Sequence, residues 1–395
     1  MLSQNYIIII TNWGCAMNHL ELLFSQNASI PCANRVIINN GAFVFECNER
    51  FFSYSTLRNM IGFVNAITTK YRGVKLPIVF NLHDVQIVDK LIYILFECIC
   101  EYLIVDCSYK VLVNSSVRDT INTEGIRSSP IQLLTTGKID HQKKFKDKFK
   151  FDIYKCHYRR LLTESEICKT DLSCVVLDEI AQFQRMFNVD DDCREAISEV
   201  LIELVGNAGE HGHSDCLIDF DIAPDYIKEG SSKEYVGINI ALLNFSKELL
   251  CTSLKDKILN VSEAEDRYKV VTQAYLNHSK YFSQDYYEND FFNITAFQHK
   301  ISGRPDNTIT GGTGLTKLIE SLETKSDAHM CYVATGNSKL RFQPEYLKYN
   351  KDGWIGFNDT NNYVDCCPKS ELIVHNEIYI PGTAYNLNFV MQRKE

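Results

Sequence analysis

Four polar side chains share one face of a strongly apolar predicted helix, within the stretch EVLIELVGNAGEHGH. Glu199, Glu203 and Asn207 recur every fourth residue, and Glu210 follows three residues later, so helical geometry places them together. No lysine or arginine occurs over residues 196–216 to neutralise them. Neighbouring carboxylates repel one another unless something bridges them. A magnesium ion or a bound water would do so, because Mg²⁺ prefers oxygen ligands.

A glycine-rich turn in a second stretch, TITGGTGLTKLIESL, opens directly into an amphipathic helix. The backbone N–H groups of such a turn and the dipole of the helix are suited to holding phosphate. A glycine turn of this kind also caps helices without binding anything, so alone it is weak evidence. The residues in question are Thr310, Gly311, Gly312, Thr313, Gly314 and Leu315.

The first third of the 395-residue chain predicts an α/β domain over residues 1–140. The run NRVIINNGAFVFECN predicts two strands around an Asn-Asn-Gly turn. Residues 76–115 alternate as strand, loop, long apolar helix and strand, and parallel strands need such a crossover. The four isoleucines near the N-terminus are too few for a transmembrane helix and predict a buried strand.

The most basic stretch, TTGKIDHQKKFKDKFKFD, marks the expected domain boundary. Its lysines surround phenylalanines, which fits a strand that binds nucleic acid or a partner. A linker or interdomain strand with a solvated face is the more common meaning of such a charge run. We therefore expect a basic linker over residues 141–165.

The remainder, residues 166–395, predicts an α/β sandwich with a mixed or antiparallel sheet. Two helices are expected first, one beginning near Asp171 and one behind three acidic residues that suit a helix N-terminus. Strand-like runs follow at YVGINIALLNF, HMCYVATGN, LRFQP and GTAYNLNFVM.

Composition narrows the class of protein. The formal net charge of −9 argues against nucleic acid as the main ligand, because phosphate neutralisation needs clustered cations. The fifteen cysteines are scattered without a C-x-x-C pair, which indicates reduced thiols in a cytosolic protein. His211, His213 and Cys216 have metal-ligand character, but no second ligand pair accompanies them.

Taken in order, the polar helix and the glycine turn resemble the GHKL ATPase superfamily of gyrase, chaperone, histidine-kinase and mismatch-repair ATPases. Glu203 and Asn207 match its E-x-x-x-N box, and the turn and helix start at residues 312–315 match its second glycine box. The final PGTAYNLNF resembles the closing strand, with Thr383 near the adenine end. The resemblance covers residues 171–395 and implies a Bergerat-type α/β sandwich.

The resemblance implies a role for each matched residue. Asn207 would coordinate the Mg²⁺ that bridges the phosphates of ATP, and Glu203 would deprotonate the attacking water. Residues 311–315 would wrap the phosphates as part of an ATP lid. A long lid over residues 246–310 is expected, with Lys300 and Arg304 near enough to reach a γ-phosphate or else simply exposed on a loop.

One box departs from the family pattern. Where the family has D-x-G-x-G, this chain has Asn244 followed by Phe-Ser-Lys. Asn244 keeps an acceptor oxygen for the adenine amino group, so we expect weaker or water-assisted recognition of the base.

Residues 76–115 weakly resemble a STAS-like domain, in which a strand and a short loop lead into a helix. Regulated members carry a serine at the start of that helix, whereas Val88, Asp89, Lys90 and Leu91 stand there in this chain. Phosphoacceptor function is therefore in doubt. A plain α/β interaction domain is the alternative.

These resemblances imply a cytoplasmic regulatory protein that binds ATP and Mg²⁺, hydrolyses ATP, and controls a protein partner through lid closure. A protein kinase of the anti-sigma type, acting on serine or histidine, is the first alternative. A nucleotide-sensing scaffold without turnover is the second. No membrane association is expected, and a homodimer is left open.

Overall fold

A computed structural model describes residues 17–33, 36–115, 129–169, 172–226, 233–260, 266–301, 314–325 and 331–392. The strand expected near the N-terminus, at residues 7–10, lies outside these ranges. No helix in the described ranges is both long and apolar enough to cross a membrane.

The N-terminal α/β unit contains the predicted hairpin and crossovers. Strands β1 and β2 pair antiparallel across Asn40 and Gly41, both of which have the positive φ that such a turn requires. Strands β2, β3 and β4 run parallel, joined by helices α2 and α3. The bounds are α1 Glu21–Ser25, β1 Ile37–Asn39, β2 Ala42–Glu46, α2 Tyr54–Lys70, β3 Ile78–His83, α3 Lys90–Val105 and β4 Val111–Ser115.

The segment expected as a basic linker is regular secondary structure instead. It forms helix α4 (Ile139–Lys150) and strands β5 (Phe151–Tyr154) and β6 (His157–Leu162). Phe145 and Phe149 are both fully buried. Their four-residue spacing gives the helix an apolar face, and the lysines occupy the rest of its surface.

Six antiparallel strands make the second sheet, in the order β5-β6-β7-β8-β10-β9. The antiparallel arrangement agrees with the sequence-based expectation, although HMCYVATGN and LRFQP belong to one strand rather than two. The remaining elements are α5 Glu164–Ile167, α6 Leu172–Arg185, α7 Asp191–Glu210, β7 Cys216–Tyr226, β8 Tyr235–Asn244, α8 Thr252–Asn260, α9 Asp266–His278, α10 Glu288–Thr295, α11 Gly314–Lys325, β9 Tyr332–Arg341 and β10 Ile373–Gln392.

Both faces of the six-stranded sheet are covered. Along β7, Ile218 and Phe220 pack with the helices α6 and α7. Leu217, on the opposite face, belongs to the core that contains α2 and α3. The order of layers is therefore four-stranded sheet, helices, six-stranded sheet, helices.

Much of the segment expected as a lid is core. Its described parts hold α8, α9 and α10, and Phe291 and Phe292 are completely buried. Phe291 stacks on Tyr363, which in turn stacks on Trp354. Several aromatic residues of this segment therefore pack into the core of the fold.

Candidate functional site

One cleft gathers predicted site residues from four distant parts of the chain. Glu203 and Asn207 of α7, Asn244 at the end of β8, Leu315 of α11 and Thr383 of β10 all line it. The cleft opens to solvent. The other lining residues used below are Ala208, Gly212, Glu248 and Tyr385.

Helix α7 fixes the spacing of the two polar residues. Asp190 caps it by accepting a hydrogen bond from the Cys193 backbone N–H at 3.3 Å. An apolar stripe that includes Ile197 and Leu204 is buried against the sheet. With that stripe anchored, Glu203 and Asn207 lie one turn apart on the side of the helix that faces the cleft.

Gly212 allows the chain to turn tightly behind α7. A Cβ at this position would lie 2.6 Å from the carbonyl oxygen of Ala208 and 2.7 Å from Asn244 Nδ2. The Gly212 carbonyl also accepts a hydrogen bond from Ser246 Oγ at 2.6 Å. A side chain at residue 212 would therefore displace the end of α7 or the Asn244 side chain.

The two outer carboxylates of the polar helix face lie away from this cleft. Glu199 pairs with Lys317 of α11 at 2.8 Å, and both side chains are about half exposed. Glu210 lines a second, mostly apolar cavity between α7 and α6, which Glu203 also lines. A lysine from another helix thus neutralises Glu199, so the expected bridging ion is not needed at that end of the face.

The far wall of the cleft is built where β8 ends. Asn244 lies directly opposite Thr383 in the β8–β10 register. Its Nδ2 donates to Ser214 Oγ at 2.9 Å, and both residues are buried. Gly382 has a positive φ of 82°, and a Cβ there would lie 2.4 Å from the Asn244 carbonyl oxygen.

The glycine turn itself lies mostly outside the described residues. The residues outside the described ranges include Thr310, Gly311, Gly312, Thr313 and Arg304. Helix α11 begins at Gly314, and its second residue, Leu315, lines the cleft. Lys300 is exposed.

Tyr385 is a cleft residue that the sequence reasoning missed. Its ring is 3% exposed and lines the cleft beside Glu203. Burial, and then the Glu203 carboxylate, raise the pKa of the Tyr385 phenol, so it stays protonated. The alternation of side chains along a strand could have identified Tyr385. Residues two apart in β10 point the same way, and Thr383 was already a predicted site residue.

A buried ion cluster lies on the opposite face of the sheet, under the start of α3. The Lys90 ammonium contacts the carboxylates of Asp219 and Asp221, and all three side chains are almost fully buried. His157 Nε2 lies 2.8 Å from Asp219 Oδ2. Arg159 joins the same carboxylate to Glu97 of α3.

The charges of this cluster balance internally. Burial works against a charged His157, but the Asp219 carboxylate, which accepts from the ring, and the nearby Asp152 carboxylate outweigh it and raise the pKa of His157 to about 9. The ligand atoms of His157, Asp219 and Asp221 lie within 4.8 Å of one another, as a metal site would need. Lys90 already supplies the cation between the two aspartates, so the arrangement is a structural ion cluster.

His211, His213 and Cys216, which the sequence did not favour as a metal site, are not among the potential metal-ligand groups of the described residues. Cys216 is fully buried at the start of β7, and the exposed His213 lies 3.7 Å from Glu164. The position where a STAS-like phosphoacceptor was considered is also buried. Asp89 caps α3 by accepting from the Ile92 N–H, and the Tyr332 hydroxyl of β9 donates to its carboxylate.

Comparisons with known proteins give no relative: no protein-family model, no curated protein and no solved structure matches the chain. The case for a function therefore rests on the residues of the cleft.

Proposed function

We propose that this chain is a cytosolic, magnesium-dependent protein that binds and hydrolyses ATP and controls a protein partner through its nucleotide state. One observation carries the proposal: five residues chosen from sequence motifs, from Glu203 to Thr383, line a single cleft. They come from α7, β8, α11 and β10. Motifs that matched by chance would have no reason to meet in space.

The lining of the cleft offers the chemistry to bind a nucleoside triphosphate with its metal ion. The start of α11 reaches it through Leu315, which supports placing phosphates at that end. Asn244 and Thr383, at the other end, offer acceptor and donor groups for a base. The two ends match the two ends of a nucleotide.

Asn207 and Glu203 are suited to the metal and phosphate end. The amide oxygen of Asn207 is a ligand type that Mg²⁺ accepts, and substrate phosphates and waters usually complete such a shell. Bound there, the ion would neutralise charge on the phosphates. The carboxylate of Glu203 lies one helical turn away and faces the same space.

In this proposal Glu203 acts as the general base. A carboxylate oxygen of Glu203 takes a proton from a water molecule as the water oxygen bonds to the γ-phosphorus and the bond to ADP breaks. Tyr385, protonated and buried beside Glu203, keeps bulk water from that side of the carboxylate. Asn207 holds the phosphate end in register through the same helix.

Glu203→Gln tests the assignment. The change keeps the side-chain shape and removes the base, so hydrolysis should fall by roughly 10²–10⁴-fold while nucleotide binding is kept. Phosphate release and calorimetric titration measure the two quantities. Glu195→Gln is the matched control, because Glu195 is exposed on the same helix and does not line the cleft.

Hydrolysis by Glu203→Gln at the wild-type rate would show that Glu203 is not the base. Incubation with ATP labelled at the γ-phosphate adds a second readout. Label in free phosphate supports the ATPase, and label on protein supports a kinase. Tight binding with neither product supports a scaffold that senses the nucleotide.

A further inference from the structure

We propose that strand β10 couples the cleft to the docking of helix α3, so that the N-terminal α/β unit regulates nucleotide affinity. This inference rests on the proposed function, since it concerns regulation of the same cleft. It follows from contacts on the two faces of one strand.

Two consecutive residues of β10 point to opposite faces of the six-stranded sheet. Tyr385 points into the cleft, where it lies beside Glu203. Asn386 points the other way, and its Oδ1 accepts a hydrogen bond from the backbone N–H of Leu91 at 3.3 Å. Leu91 is the second residue of α3, so that N–H has no carbonyl partner within the helix, and Asn386 shares it with the capping carboxylate of Asp89. A shift of β10 at the cleft therefore moves the Asn386 oxygen, which accepts a hydrogen bond from the start of α3.

The neighbouring strand holds the same helix end. Tyr332 of β9 lies opposite Asn386 in the sheet register. Its hydroxyl lies 2.8 and 2.7 Å from the two carboxylate oxygens of Asp89, the residue that caps α3. Lys339 lies over the Tyr332 ring at 4.8 Å. Asp89, Tyr332 and Asn386 thus form one contact between α3 and the edge of the sheet.

The β9–β10 ladder is irregular at the base end of the cleft, next to this contact. The β9–β10 register shifts between Ile380 and Ala384. Gly336 and Gly382 have positive φ values of 57° and 82° in the two strands. The Gly382 carbonyl accepts from Thr335 Oγ1 at 2.7 Å. A bulged ladder of this kind is a place where strand pairing can change without unfolding the sheet.

The direction of the coupling follows from the contact by which α3 holds β10 in place. With α3 docked, β10 is held from the face opposite the cleft, and its cleft residues are already ordered. If that contact is loosened, nucleotide binding must order the strand itself, which lowers affinity. Reciprocity requires that bound nucleotide strengthens the docking of α3 by the same factor.

Tyr332→Phe and Tyr158→Phe form a matched pair for the test. Each substitution removes one buried hydroxyl that donates to a carboxylate, Asp89 in the first case and Glu179 in the second. Tyr158 lies in β6 and packs on the opposite face of the sheet, with α6. The affinity for a non-hydrolysable ATP analogue with Mg²⁺ is measured by titration. Tyr332→Phe should bind the analogue at least about fivefold more weakly than the wild-type chain, and Tyr158→Phe should bind it within about twofold of the wild-type affinity.

Hydrogen exchange of the wild-type chain supplies a readout that needs no variant. Nucleotide should slow exchange of the Leu91 and Ile92 N–H groups at the start of α3. Asp89→Ser, which keeps a capping side chain and removes the carboxylate, should weaken affinity as Tyr332→Phe does. Unchanged exchange together with wild-type affinity in both variants would overturn the inference alone. Absence of nucleotide binding by the wild-type chain would overturn the proposed function and this inference with it.

Discussion

Lys90→Met should destabilise the protein by about 3 kcal/mol, because it removes the ammonium that two buried carboxylates share. Lys90, Asp219 and Asp221 are exposed by only 4%, 1% and 0%. Breaking a buried ion pair from one side costs about 3–5 kcal/mol. Asp219 keeps Arg159 and His157 as neighbours, which places the expected loss at the lower end of that range.

Thermal melting followed by circular dichroism measures this loss. For a chain of this size, about 3 kcal/mol corresponds to a fall in Tm of roughly 4 °C. Lys90→Met with Asp221→Asn should recover at least about 1 kcal/mol, because one uncompensated charge is gone. The control Lys369→Met breaks an exposed pair with Asp359 and should leave the Tm nearly unchanged. A Lys90→Met loss as small as the control would refute the reasoning.

Three further predictions follow from the geometry. Stability in urea should fall as pH rises from 6.5 to about 9, because protonated His157 is the favoured folded form, and His157→Gln should flatten that slope; a flat wild-type profile would contradict this. Gly212→Ala should destabilise the fold by about 1–3 kcal/mol and weaken nucleotide binding by calorimetry, whereas Gly206→Ala, whose Cβ meets nothing, should bind as wild type. Glu199→Gln should release phosphate within about twofold of the wild-type rate, since an exposed ion pair contributes little. A large loss of rate would show that Glu199 takes part in hydrolysis.

Local patterns predicted the helices and strands that build the cleft. The acidic cap and apolar stripe of α7, the Asn-Asn-Gly hairpin and the strand–helix–strand unit ending in β4 were predicted and are observed. Each depends on residues close in sequence, where periodicity and turn chemistry dominate. The meeting of Glu203, Asn244 and Thr383 depended on long-range packing, and only the order of the motifs suggested it.

The wrong predictions share one physical cause. A sequence shows which residues share a face of a helix or strand, but it does not show which other element packs against that face. The lysines of α4 suggested a solvated linker, while Phe145 and Phe149 were spaced for a buried helix face. Strand β7 was not among the predicted strands; in it, Asp219 and Asp221 alternate with apolar residues, a pattern typical of a strand with one solvent-exposed face. That face is instead covered by α3, and Lys90, 129 residues earlier than Asp219, neutralises it.

Calorimetric titration of the wild-type chain with Mg²⁺ and a non-hydrolysable ATP analogue tests the central claim most directly. The account predicts saturable binding at one site per chain. It also predicts that Asn207→Ala, which removes the proposed oxygen ligand, loses the magnesium-dependent part of that affinity. Absence of binding by the wild-type chain, or unchanged magnesium-dependent binding by Asn207→Ala, would contradict the assignment of this cleft.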